Sequence, residues 1–169
     1  MQPAARVQAA IEVLGDVLTR HRPAAVALAD WGKSHRFAGS GDRAAIGNLV
    51  YDTLRVKASA AHVMGSDTPR ALVLGALRVA SKLDAAAITR LADGGSHNPK
   101  ALTPEETLHL SQSRDVDAPL WVQADIPERL LASLHRSLGD RLVEEGRACA
   151  ARAPVDLRVN TLKTARADL

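Results

Sequence analysis

Ala153-Pro154-Val155-Asp156-Leu157-Arg158-Val159-Asn160 is the stretch on which the fold of this chain turns. Val155, Leu157 and Val159 are apolar, and Asp156, Arg158 and Asn160 between them are polar. Strict alternation sends successive side chains to opposite faces, which suits a half-buried strand and not a helix. Thr164 then stands as the N-cap of a helix that begins at Ala165 and is cut off at Leu169. A lone strand has unpaired backbone groups along both edges, and no other segment offers it a partner. The expectation is therefore that strand and helix open a following domain, and that everything before Ala153 is the front module of a larger protein.

Upstream, the apolar period is that of helices. Residues 3 to 20 place Val7, Ala10, Ile11, Leu14, Val17 and Leu18 on one stripe. Pro23 sits where a helix can start, and Ala24, Ala27, Leu28 and Trp31 form a second stripe. The connector from Gly32 to Gly41 is polar and basic and ends in a cap candidate, Ser40. A third helix turns Ile46, Leu49, Val50 and Leu54 inward, and a shorter segment near Ser59 to Met64 continues it after a bend. Thr68-Pro69 reads as a cap and a first helical residue, with Leu72, Leu77 and Ala80 on the next buried face. A short helix around Asp84 to Ala92 stops at Gly94-Gly95. Thr103 and Glu106 have capping-box spacing, with Pro104 suited to the first turn. Gln112 to Asp125 reads as a loop anchored by Pro119 and Trp121. Leu130, Leu131, Leu134 and Leu138 define a helix ending at Gly139, and Leu142, Val143, Cys149 and Ala150 a last one before Pro154. The result is seven to nine helices without internal repeat: an all-α, irregular helical bundle.

Composition agrees. Of 169 residues, 31 are alanine and 22 leucine, which favours helices in close contact. The length allows one domain of ordinary size plus a fragment. A single cysteine, Cys149, excludes an internal disulfide and a multi-cysteine zinc site; beside Ala148, Ala150 and Ala151 it reads as a reduced structural thiol. The histidines His21, His35, His62, His97, His109 and His135 are scattered singly, without metal-ligand spacing. No Gly-rich phosphate loop, His-Glu-x-x-His or Gly-x-Ser-x-Gly motif occurs. A nucleotide or S-adenosylmethionine site would call for a parallel sheet that this pattern lacks. No catalytic residue, cofactor or metal is assigned, and the chain alone is expected to be inactive. Arg6, Glu12 and Asp16 break the N-terminal apolar run, and no stretch approaches the ~18 apolar residues of a membrane helix. A cytoplasmic location is the expectation, with no membrane partner.

Net charge is +3, but unevenly spread. Between Arg20 and Lys57, seven basic residues face three acidic ones, Asp30, Asp42 and Asp52. A local basic excess points to a polyanion, with a merely solvated surface as the alternative reading. The candidate RNA contacts are Arg20, Arg22, Lys33, Arg36, Phe37, Arg43 and Arg55. Of four aromatic residues, Trp31 and Tyr51 lie on helices and read as core. Phe37, between Arg36 and the Gly39-Ser40-Gly41 loop, is the ring placed to meet a base. Contacts should therefore be dominated by phosphate. Asp42 and Arg43 have a structural reading of equal standing: an acidic side chain favours the first helical turn, and its neighbour pairs within the bundle.

Two segments carry a resemblance to a known family. Asp42-Arg43-Ala44-Ala45-Ile46-Gly47-Asn48-Leu49-Val50-Tyr51-Asp52-Thr53-Leu54-Arg55 resembles the Asp-Arg…Leu-Val-Tyr-Gly-x-Leu-Arg helix of NusB-like domains. Arg152-Ala153-Pro154-Val155-Asp156-Leu157-Arg158-Val159-Asn160-Thr161 is similar to the Ala-Pro-x-x-Leu-Arg-Val-Asn entry into the methyltransferase part of the Sun/RsmB family of RNA (cytosine-5) methyltransferases. Ile126-Pro127-Glu128-Arg129-Leu130 resembles that family's Leu-Pro-Glu-Trp-Leu helix start, with Arg129 where Trp is common. Asp52 departs from the pattern's Gly, which speaks against a close helix contact there, and Cys149 lies outside the family's catalytic motif. The resemblance implies a NusB-like helical domain over 1–117, a helical connector over 118–152 and the truncated start of a methyltransferase region over 153–169. It implies ribosomal RNA and the chain's own downstream catalytic domain as partners, with S-adenosylmethionine as cofactor of the full-length protein only.

The expected function is an RNA-binding accessory module of an S-adenosylmethionine-dependent rRNA (cytosine-5) methyltransferase. One alternative is a NusB-type transcription antitermination factor, although a free-standing factor has no use for the Val155 to Leu169 extension. The other is a helical interaction module docking on its own catalytic domain.

Overall fold

The computed structural model describes residues 1–112, 118–154 and 158–168. These residues form helices, and no strand occurs among them. The first layer is α1 (Pro3–Thr19), α2 (Ala24–Ser34) and α3 (Ser40–Arg55). Arg6 Nε donates to Asp42 Oδ1 at 2.9 Å, which ties the start of α1 to the start of α3. Trp31 Nε1 donates to Glu12 Oε2 at 3.2 Å and fastens α2 to α1. Between them Ala9, Ala10, Val13, Ala27, Ile46 and Val50 form a core whose alanines let the helices approach closely.

The second layer centres on α5 (Pro69–Val79), which touches α1, α3, α4 (Lys57–Met64), α6 (Ala85–Leu91) and α7 (Pro104–Ser111). Every residue from Ala71 to Leu77 is buried, so α5 is apolar on all sides, as a central helix must be. Gly75 permits the crossing with α4: a Cβ there would lie 2.5 Å from the Ala60 carbonyl oxygen. Leu14, Leu72, Leu74, Ile88 and Leu110 fill the main core.

Local side-chain chemistry starts three of these helices. Thr68 Oγ1 accepts from the Ala71 N–H at 3.3 Å, and Asp84 Oδ1 from the Ala87 N–H at 2.7 Å. Thr103 and Glu106 form a complete capping box, at 3.1 and 2.9 Å. Glu106 also accepts from Arg70 Nε at 2.7 Å, and this bond holds its carboxyl below the usual glutamate range despite partial burial.

A third group, α8 (Leu120–Gln123), α9 (Leu131–Leu138) and α10 (Leu142–Ala150), packs onto the end of the bundle through α4 and α8. The start of α4 has no side-chain cap of its own. Asp125 supplies one from 66 residues downstream: Oδ1 accepts from the Ser59 N–H at 2.8 Å and Oδ2 from Ser59 Oγ at 2.6 Å. Gly146 brings α10 against this turn, where a Cβ would meet the Ala124 carbonyl oxygen at 2.4 Å.

Several expectations are corrected. Ser40 is the first residue of α3, and Gly39 occupies the cap position without a side-chain bond. Ala80 is exposed at the end of α5, because the helix finishes at Val79 before that face returns to the core. The 112–125 loop contains α8, held by buried Ala118, Val122 and Ala124, whereas Pro119 is exposed; residues 113–117 lie outside the described residues. Cys149 is exposed, since α10 turns Leu142 and Gly146 inward instead. Tyr51 is 39% exposed, because the α3 face toward the core is Ile46, Val50 and Thr53. Of the expected strand, Val155, Asp156 and Leu157 lie outside the described residues, and Arg158, Val159 and Asn160 are unassigned to any element. Asn160 opens a turn in which its carbonyl accepts from the Lys163 N–H at 2.9 Å. The helix expected from Ala165 is a 3-10 turn at Arg166–Asp168, and Leu169 lies outside the described residues.

Candidate nucleic-acid interface

The candidate cations fall into three settings. Arg20 and Arg22 occupy the α1–α2 connection, where two carboxylates are shared among three cations. Asp16 pairs with Arg20 at 3.2 Å and with Arg22 at 2.6 Å, while Asp30 pairs with Arg22 and, at 3.0 Å, with Lys33. The bonds to Asp30 and then Asp16 push the Arg22 pKa up, and those from Arg22 and then Lys33 pull the Asp30 carboxyl down. Arg20 and Lys33 are exposed in these pairs, which exchange readily with other ions, whereas Arg22 is half-buried between its two carboxylates.

The second setting is the corner between α2 and α3. Lys33 lies in the last turn of α2, and its side chain is 77% exposed. Arg36 is exposed and makes no ion pair among the described residues. Phe37 is 74% exposed. Behind it Trp31 and His35 stack with centroids 4.2 Å apart and planes 8° apart, and His35 meets Phe37 edge to face at 5.7 Å. His35 Nδ1 lies 2.9 Å from the Trp31 carbonyl oxygen, which fixes the ring over the end of α2. Arg43 donates Nε to the Ala38 carbonyl at 2.9 Å, and its guanidinium lies across Gly32, about 3.5 Å from where a Cβ would stand. A hollow of about 220 Å³ beside it is lined by Leu28, Ala29, Trp31, Gly32, Arg43 and Ile46. That is below the ~300–1,000 Å³ of cofactor-sized pockets, so the corner is a surface to lie against.

Arg55 is elsewhere. Twelve residues separate it from Arg43 along α3, which is about 18 Å of helix. It pairs with Asp52 at 3.1 Å, and Asp52 also takes a two-point bond from Arg152, just beyond α10. Asp52, where the NusB-like pattern has Gly, thus anchors the segment that follows α10. Asp42 and Arg43 both serve the bundle: Asp42 takes Arg6, and Arg43 latches the α2–α3 connector.

The structure therefore sets Arg36, Phe37 and Arg43 on the α2–α3 corner, ties Lys33 at its edge to Asp30, holds Arg20 and Arg22 on Asp16 and Asp30, and places Arg55 at the far end of α3. His35 was missed as part of the corner. Its spacing of four from Trp31 was the signal, because residues four apart on a helix stack face to face. Among the described residues no group of three or more His, Cys, Asp or Glu side chains could hold a metal, and no helix is long and apolar enough to cross a membrane. No family model, no curated protein and no solved structure matches this chain.

Proposed function

We propose that this chain is a NusB-like RNA-binding module that holds structured RNA, chiefly ribosomal, for an S-adenosylmethionine-dependent cytosine-5 methyltransferase domain lying beyond Leu169, in the cytoplasm. On this reading residues 153–169 lead into that domain, and S-adenosylmethionine binds there. The observation that supports it is the α2–α3 corner: a ring 74% exposed, backed by a stacked Trp31–His35 pair and flanked by Lys33, Arg36 and Arg43. An exposed ring gives a base a stacking face, worth about 1–3 kcal/mol, and adjacent cations hold the phosphates on either side. Lys33, Arg36 and Arg43 on phosphates carry no sequence information, so in this reading the module positions RNA and leaves choice of nucleotide to the catalytic part.

The test is affinity for a structured RNA. Replacing Lys33, Arg36 and Arg43 together by Glu is expected to abolish binding with helical circular dichroism unchanged, and Phe37→Ala to weaken it by tenfold or more, on the order of the stacking term. Unchanged affinity in both variants would overturn the proposal. One observation favours the docking alternative: Leu120 and Leu130 are 45% and 40% exposed, and no residue of α9 is fully buried, which leaves apolar surface at that end of the bundle. A tight complex with the catalytic domain, together with no RNA affinity in the module, would decide for that reading.

A further inference from the structure

A groove of about 940 Å³ opens between the α3–α4 bend, the C-terminal end of α5 and the α8–α10 pair. Its charged wall is collected from distant parts of the chain: Arg55, Arg78, Lys82, Arg147 and Arg152. Among the described residues two carboxylates, Asp52 and Asp125, also line it, and both are engaged. Asp52 is clasped between Arg55 and Arg152, and Asp125 is turned onto Ser59. Among the described residues, five cations against two carboxylates leave an excess of three positive charges. Arg78 and Lys82 make no ion pair among the described residues, and Arg147 gives its Nε to the Gln123 carbonyl at 3.1 Å.

Three non-glycine residues have positive φ among the described residues, His21, Lys82 and Asp125, and two of them line this groove. Each such residue costs roughly 1 kcal/mol, offset at Asp125 by its two bonds to Ser59. At Lys82 it is held by two bonds that wrap the end of α5: the Ser81 N–H to the Ala76 carbonyl at 3.2 Å and the Leu83 N–H to the Leu77 carbonyl at 3.1 Å. The turn therefore presents Lys82 at the groove edge.

We infer that this groove seats the phosphate backbone of RNA, as a second contact beyond the α2–α3 corner. The inference rests on the RNA-binding reading above. Four of its five cations are arginines, whose guanidinium forks match phosphate oxygens in a two-point fashion. No Trp, Tyr or Phe lines it among the described residues, so it offers no stacking face and recognises charge rather than base. That division suits structured RNA, whose paired bases are hidden and whose phosphates are not.

The experiment compares three chains of 169 residues against a fluorescent RNA hairpin over a range of salt: wild type, the groove variant Arg78→Glu/Lys82→Glu, and the corner variant Lys33→Glu/Arg36→Glu/Arg43→Glu. Neither groove substitution breaks an ion pair, so circular dichroism should be unaltered. The groove variant is expected to bind about tenfold or more weakly near 0.1 M salt, with a log–log slope flatter by about 2. Affinity and slope equal to wild type, with binding lost in the corner variant, would overturn the groove while leaving the RNA-binding reading intact. A wild-type chain without RNA affinity would overturn both. Binding of poly-glutamate in place of RNA, lost in the groove variant, would overturn the inference and assign the groove to an acidic protein segment.

Discussion

Asp125→Ala should loosen the junction between the bundle and the α8–α10 group. Its carboxylate accepts two hydrogen bonds from Ser59, one from the backbone N–H and one from the hydroxyl, and it is the cap that α4 lacks locally. Losing a cap costs about 1 kcal/mol, in a range of 0.5–2. A hydrogen bond to a charged acceptor is worth about 1.5–3 kcal/mol net, but here burial pushes the Asp125 carboxyl upward against the pull of the Ser59 donors. Burial outweighs that pull, so the expected loss of about 2 kcal/mol comes from the missing cap and from Ser59 donors left without an acceptor. Asn keeps an acceptor oxygen, removes the buried charge and tolerates a φ of 50°, so Asp125→Asn should lose less than about 1 kcal/mol. Asp125→Gly loses the cap but relaxes the backbone, and should fall between the two. In urea denaturation followed by circular dichroism, a slope near 2 kcal/mol/M turns 2 kcal/mol into a midpoint shift of about 1 M. Equal stability of Ala and wild type, or Asn as damaging as Ala, would refute the reasoning.

Other outcomes follow from single contacts. Gly75→Ala places a methyl 2.5 Å from the Ala60 carbonyl oxygen, and helix propensity returns only part of the overpacking cost; melting should show a net loss of about 2 kcal/mol. Gly41→Ala, in open space on α3, should leave stability level or slightly raised under the same assay. Gly146→Ala drives a methyl to 2.4 Å from the Ala124 carbonyl oxygen, and hydrogen exchange should report lost protection along α10 while α5 keeps its own. Glu106→Gln removes a charged partner of Arg70 and should cost about 1–2 kcal/mol near neutral pH. Because the folded pKa of Glu106 lies below its ordinary 4.5, that stabilisation is whole above pH 4.5 and is lost as pH falls through the folded value. The gap between Glu106→Gln and wild type in urea midpoints should therefore narrow below about pH 4.5; a gap that widens in acid would contradict the pairing.

What could be read in the sequence was local. Thr68 and Thr103 cap their helices because the donor and acceptor stand three residues apart, well within a reading window. The apolar stripes of α1, α3 and α5 were legible for the same reason. Asp125 was not, since its partner Ser59 lies 66 residues away and nothing in either neighbourhood announces the pair. Cys149 and Tyr51 read as core on periodicity alone, but which face of a short helix is covered depends on what packs there. The basic window from Arg20 to Lys57 excluded Asp16, which pairs with two of its arginines, so it overstated the free charge. It also joined Arg55 to residues a helix length away. The groove shows the converse: Arg55, Arg78, Lys82, Arg147 and Arg152 are gathered by folding, and no window along the chain collects them.

The salt dependence of RNA binding by the 169-residue chain tests the central claim most directly. With four or more cations on phosphates, the affinity for a structured RNA should fall with salt at a log–log slope of about −3 or steeper. A slope near zero, or no measurable binding at low salt, would contradict it.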